Sequence, residues 1–376
     1  MFLLELPSEI LDLISNPLGP SDLWNLYDSC KTLRVVSARH LFRTVEIRFD
    51  GSYAEVLNSR PFSISCPRSS GRLLTTVAQW SPHVRNMDVW GDEEFLQPDF
   101  FDLLPRLGNL CSFSISYPPS LGSFQLLLER LAALPSLRSL SVDFMSPRIW
   151  TVPLTFNRLQ HLQLSCIEHE PGLCVLPSLP MLETLTLNFC CYCLDCPKNG
   201  RGPCTLLQLL HLPRLRALSI LGAQAGNVIW CGHAAQLQKL ELAFCSGIDL
   251  IGLLGSAGNN LEELILSDCD FMAEGPTVSS VTLPVLQRVQ INASISGLAQ
   301  LCYAEIPSSA MIQMRIGPDD FEEVENWPLV RLRLALNPVS LSLTGSGALP
   351  YPLEPSSRLR QIASLSHIRL EGQKRL

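Results

Sequence analysis

The chain has 376 residues and a mass of 41.7 kDa, more than one hydrophobic core ordinarily serves, so it points to two domains or to an architecture that grows by adding units. With 47% hydrophobic and 17% charged residues and a mean hydropathy of +0.20, it can bury enough apolar surface to offset its ordering entropy, which excludes a disordered chain. A formal net charge of -7 offers no global attraction to phosphate backbones and weighs against nucleic acid as a partner. No apolar run approaches the roughly 20 residues that span a bilayer, so no membrane association is expected.

The first residues, Met1-Phe2-Leu3-Leu4-Glu5-Leu6-Pro7, have no basic n-region, and Glu5 interrupts the apolar stretch. No secretory signal is read there, and the expected compartment is reducing, cytoplasmic or nuclear. The fourteen cysteines are then expected as buried small residues or metal ligands rather than as a disulfide framework.

From Pro7, which can occupy the first turn of a helix, Ile10, Leu11, Leu13 and Ile14 make a segment apolar around most of its circumference. Asn16-Pro17 and Gly19-Pro20 end it, and Ser21 can cap a second helix carrying Leu23, Leu26, Cys30 and Leu33 at one-face spacing. Val36 to Leu41 suggests a third. About forty residues cannot bury two apolar faces by themselves, so the segment needs a docking surface and a partner.

The residues Leu6-Pro7-Ser8-Glu9-Ile10-Leu11, Ile14, Leu18, Ser21-Asp22-Leu23, Leu26, Cys30-Lys31 and Leu41-Phe42 resemble an F-box, most of all those of fungal F-box proteins, with Leu33 where the family often has an aromatic side chain. The resemblance implies that Leu6, Pro7, Ile10, Leu11, Ile14, Leu18, Leu23, Leu26 and Cys30 bind the Skp adaptor and, through it, a cullin. The alternative is an amino-terminal cap on a repeat core, which explains one buried face but not a second.

Beyond an irregular stretch at 48–83, one template recurs to the end of the chain. It reads Val84-x-x-Met87-x-Val89, Leu110-x-x-Phe113-x-Ile115, Leu137-x-x-Leu140-x-Val142, Leu159-x-x-Leu162-x-Leu164, Leu182-x-x-Leu185-x-Leu187 and Leu215-x-x-Leu218-x-Ile220. It continues through Leu237, Leu240 and Leu242; Leu261, Leu264 and Leu266; Leu286, Val289 and Ile291; Met311, Met314 and Ile316; Leu329, Leu332 and Leu334; and Leu365, Ile368 and Leu370. The apolar-x-apolar core of each unit predicts a short strand, and the segments between, such as 124–134 and 248–257, carry helical spacing. Leu-Pro pairs at Leu134-Pro135, Leu179-Pro180, Leu212-Pro213 and Leu283-Pro284 are expected to end the preceding helix.

The pattern resembles leucine-rich repeats of the cysteine-containing type, in which Cys190, Cys245 and Cys269 would turn the chain three residues past the last apolar strand position, Cys166 standing one residue early. The expected fold is α/β: a three-helix F-box over 1–47, a linker and first irregular repeat over 48–83, and a solenoid over 84–376 with a parallel sheet on its concave face and helices and loops outside.

Candidate chemistry is sparse. Cys191, Cys193, Cys196 and Cys204 lie inside the long step from Leu182 to Leu215, an insertion that can hold zinc or simply free thiols; the run lacks the paired Cys-x2-Cys halves of structural zinc sites. No cofactor motif occurs, and neither His161 nor Cys231-Gly232-His233 has a second nearby partner for nucleophilic catalysis, so the chain is not expected to be an enzyme. On the concave side, neutral residues such as Ser139, Ser141, His161 and Gln163 give way to Arg288, Arg315, Arg331 and Arg333. Stacked guanidiniums repel, so either the acidic segment Asp319 to Glu325 or an acidic or phosphorylated substrate neutralises them. With His161, these four arginines are the substrate-binding candidates. The reading is a non-catalytic substrate receptor of a Skp-cullin-F-box ubiquitin ligase; its rival is a repeat scaffold or sensor.

Overall fold

The structure, a computed structural model, describes residues 6–50, 53–58, 62–67, 77–90, 98–116, 121–143, 154–167, 173–175, 178–189, 206–210, 212–223, 228–231, 236–257, 259–271, 281–292, 300–301, 304–316, 339–343 and 369–370. The chain divides into two units, Met1–Ile167 with Pro177–Pro180, and Glu168–Leu176 with Met181–Leu376.

The first unit begins with three helices, α1 (Ser8–Ser15), α2 (Pro20–Ser29) and α3 (Lys31–Leu41). Pro7 stands just before α1 rather than in its first turn, and its carbonyl accepts from the Ile10 and Leu11 amides. α2 starts at Pro20, whose fixed φ suits a first helical position, so Gly19 and not Ser21 precedes the helix. Leu11, Leu33 and Val36 form one core with Leu6, Leu26 and Cys30 against it. Leu23, Ala38, Leu41 and Phe42 form a second, covered by Leu18, Trp24, Tyr27 and Trp80.

The sheet starts earlier than the sequence suggests. β1 (Thr44–Asp50) follows α3 after two residues, inside the span read as helical domain, and pairs in parallel with β4 (Asn86–Trp90). On its other side β1 pairs antiparallel with β2 (Tyr53–Asn58), which pairs antiparallel with β3 (Phe62–Pro67). Beyond β4 come β5 (Ser112–Ser116), β6 (Ser139–Asp143) and β7 (His161–Ile167), all parallel. Their register stacks Val45, Met87, Phe113, Leu140 and Leu162 in one buried row and Ile47, Val89, Ile115, Val142 and Leu164 in the next.

The second unit repeats the arrangement with β9 (Thr184–Phe189), β11 (Ala217–Leu221), β13 (Lys239–Ala243), β14 (Glu263–Ser267), β16 (Arg288–Asn292), β18 (Met311–Ile316), β19 (Val339–Leu343) and β20 (Arg369–Leu370). Leu185, Leu218, Leu240, Leu264, Val289, Ile312 and Val339 make one row, and Leu187, Ile220, Leu242, Leu266, Ile291, Met314, Leu341 and Leu370 the other. A single carbonyl one residue before many strands accepts two successive amides of the next repeat: Arg216 from Gln238 and Lys239, Gln238 from Glu262 and Glu263. That shared acceptor fixes the stagger between repeats. The protein is thus α/β, each unit built on a largely parallel ladder.

Four expectations are corrected. The segments between ladder strands are not uniformly helical: α4 (Pro98–Leu103), α5 (Leu121–Ala132) and α6 (Leu250–Ala257) are, but β8 (Leu173–Val175), β10 (Leu206–Leu210) and β12 (Val228–Cys231) form a second parallel sheet, and β15 (Val281–Thr282) pairs with β17 (Ala304–Glu305). β-branched and aromatic residues in Val228-Ile229-Trp230-Cys231 favour that extended return. Among the Leu-Pro pairs, only Leu134-Pro135 follows a helix in the described residues; each nevertheless makes a turn before its strand.

In β18 the buried residues are Ile312 and Met314, while Met311 is 44% exposed. The alternation 312, 314 wins over the spacing 311, 314, because it matches the pleat of β16. Finally, the strand hydrogen-bonded beside β18 is β19, not the copy at Leu329, Leu332 and Leu334, which lies outside the described residues.

Behind β11, β13 and β14 the chain turns through a residue in the left-handed region, Gly222 (φ 71°), Phe244 (φ 55°) and Asp268 (φ 50°), and then buries Ala223, Cys245 and Cys269. The thiols donate to strand carbonyls, Cys245 to Ile220 and Ala243, Cys269 to Leu242 and Ser267. Small size and a weak donor suit this position. Cys190 lies outside the described residues, and Cys166 stands within β7.

Candidate functional site

Two surfaces carry the sequence-derived candidates. On the first, α1 turns Leu11 and Ser15 inward toward the helical core and leaves Ile10 (41% exposed), Leu13 (69%) and Ile14 (43%) outward, with Pro7 exposed just ahead of them. Positions 10, 13 and 14 lie on one face of a helix, so the outward residues form an apolar stripe. His40 Nε2 lies 3.0 Å from Asp12 Oδ1 and ties α3 to α1, which sets how that stripe is presented.

Of the other residues named for adaptor binding, Leu11 and Leu23 are core residues, Leu6, Leu26 and Cys30 pack half-buried against Leu11, Leu33 and Val36, and Leu18 packs against the Leu23 cluster. Leu13, which the F-box resemblance did not single out, is the most exposed member of the stripe. Its signal was present in the sequence as the i+3 partner of Ile10.

On the second surface, ladder residues alternate between core and open face. In the first unit the open rows read Thr44, Asn86, Ser112, Ser139 and His161, then Glu46, Asp88, Ser114, Ser141 and Gln163. His161 is exposed on this face, and Gln163 Nε2 donates to Ser165 Oγ at 3.2 Å. Burial, and then the facing Glu46, push the Asp88 carboxyl above its ordinary value.

In the second unit one row holds Lys239, Glu263 and Arg288. Glu263 accepts from both neighbours, Lys239 Nζ at 3.1 Å and Arg288 Nη1 at 3.4 Å. Arg288 therefore shares one carboxylate with Lys239 and is partly neutralised within the ladder. Arg315 is exposed in another row, in register between Asn292 and Ser342, and Asn292 Nδ2 donates to Ser267 Oγ at 2.9 Å. Arg331 and Arg333 lie outside the described residues, and because β19 occupies the place beside β18, the expected stack of arginines next to Arg315 is not built.

Neither a search of family models nor a search of curated proteins finds a match to this chain.

Cys191, Cys193, Cys196 and Cys204 also lie outside the described residues. Among the described residues no group of three or more His, Cys, Asp and Glu side chains is placed to hold a metal ion, and no helix is long and apolar enough to cross a membrane. Cys245 and Cys269 are buried; the hydrogen bond to the Cys269 sulfur, together with burial, pushes the Cys245 thiol up, so it stays protonated and serves packing rather than nucleophilic chemistry.

Proposed function

We propose that the chain is the substrate-recognition subunit of a Skp-cullin-F-box ubiquitin ligase, with the amino-terminal helices docking the Skp adaptor and the ladder holding a protein substrate in the cytoplasm or nucleus. What carries this reading is the outward apolar stripe of Ile10, Leu13 and Ile14 on a helix whose opposite side is already satisfied by Leu11, Leu33 and Val36. A mere cap needs one apolar face, and this helix has two. In this reading transfer chemistry belongs to the partners, and no cofactor is required of the chain. The ion pair of Arg288 with Glu263 leaves Arg315 as the exposed open-face cation to which this reading assigns an acidic or phosphorylated substrate.

The test is co-expression with the Skp adaptor, followed by pull-down and size-exclusion chromatography. A one-to-one complex is expected. Ile10→Asp is expected to abolish it while leaving the circular dichroism spectrum unchanged, and Leu13→Ala is expected to weaken it by about 2 kcal/mol, the cost of truncating a central anchor. Well-folded chain that forms no complex would hand the reading to a repeat scaffold whose first helices cap the ladder.

A further inference from the structure

The turns that follow β11, β13 and β14 occupy equivalent places, joined in sequence by hydrogen bonds from the Gly222 amide to the Ala243 carbonyl, from Phe244 to Ser267, and from Asp268 to Asn292. All three residues at these places have positive φ. Glycine takes that conformation freely and aspartate tolerates it, whereas a bulky aromatic residue is an outlier there. Phe244 is also 59% exposed, so burial of the ring does not offset its backbone cost. Neither folding term accounts for a phenyl side chain at this position.

The surroundings give the ring a defined chemical setting. On the β11 side stands Gly222, which has no side chain to cover the ring. On the β14 side stand Asp268 and Asp270, both exposed, with Asp270 bridged to Ser246. The three turn segments 221–223, 244–247 and 268–271 contain two carboxylates and no cation. We propose that Phe244, with Asp268 and Asp270, forms a contact surface on the rim of the ladder for a protein segment that presents an apolar side chain next to a basic one. The apolar side chain packs on the ring, and the basic side chain faces the aspartates, whose ladder strand lies about 4.8 Å away. This surface belongs to the second unit and the α1 stripe to the first, and the inference does not depend on adaptor docking.

The proposal predicts opposite signs for stability and binding at one residue. Phe244→Gly in the full chain removes the conformational conflict and is expected to raise the melting temperature by roughly 2 °C. Two short synthetic peptides of equal length serve as probes, one alternating leucine with arginine and the other leucine with glutamate, titrated by fluorescence anisotropy. The arginine peptide is expected to bind at least about tenfold more tightly than the glutamate peptide, and Phe244→Gly to weaken it by about tenfold. Asp268→Asn combined with Asp270→Asn is expected to erase the preference between the peptides. A lower melting temperature for Phe244→Gly would make the ring structural and overturn the proposal. So would equal binding of the two peptides, an arginine peptide indifferent to Phe244→Gly, or self-association in sedimentation that Phe244→Gly abolishes, which would assign the rim to a second copy of the chain.

Discussion

Asp88 carries a cost that can be measured. It faces Glu46 across neighbouring parallel strands, and its half-buried carboxyl is disfavoured in the charged form first by burial and then by that second carboxylate. Because the folded-state pKa lies above the unfolded one, the folded chain holds this proton more tightly. Stability from this group is complete below the unfolded value, about 4, and is lost as pH rises through the higher folded value. Asp88→Asn should therefore raise the urea midpoint at pH 7, with the gain shrinking to nothing as the pH falls to about 4. A gain that persisted unchanged at low pH would sink this account.

Other single residues show how far the template could be read. The place one residue before the middle leucine puts Lys239, Glu263 and Arg288 in a row, so their ion pairs follow from the repeat once the register is applied. The left-handed turn at Phe244 was hidden, because nothing in Ala243-Phe244-Cys245 looks like a turn signal, whereas Gly222 at the equivalent place does.

At the scale of elements, strand positions with two flanking leucines were legible and the joins were not. In α1 the four apolar residues 10, 11, 13 and 14 surround the helix, and only packing against α3 decides that Leu11 turns in and Ile10 out. The join between helices and ladder rests on aromatic side chains far apart in sequence. Trp80 stacks on Phe42 with centroids 5.0 Å apart and an interplanar angle of 5°, and meets Tyr27 edge-on at 5.7 Å. Tyr27 is in turn covered by the Arg34 guanidinium at 5.3 Å.

Trp80 comes from the stretch read as a linker, where neither helical nor strand periodicity marks it. Its ring closes the Leu23, Ala38, Leu41 and Phe42 cluster, so Trp80→Ala should destabilise the chain by about 2–3 kcal/mol, while Trp80→Phe recovers most of that loss. Chemical denaturation followed by circular dichroism measures both, and an alanine variant as stable as the parent would show that the helices are held by other contacts.

At the scale of the molecule, a ladder spreads its stability from neighbour to neighbour. Most repeats contribute two inward residues and a shared carbonyl, and a strand gains from both sides only when both neighbours are present. β13 and β14 have partners on each side and inward leucines that are fully buried, whereas among the described residues β3 ends its sheet with β2 as its only ladder partner. Local opening should therefore be graded along the chain rather than all-or-none. Native-state hydrogen exchange resolves this directly: the amides of β13 and β14 are expected to be the slowest to exchange, and those of β3 among the fastest, because an edge strand opens without breaking a second ladder. The same grading explains why the ends of the repeat array were the least legible from sequence. A strand such as Val339–Leu343 departs from the leucine template and still joins the ladder, because alternation against β18 is all that the last places demand. Uniform exchange from β1 to β18 would mean that the chain opens as one cooperative block, and that the repeats do not contribute their stability separately.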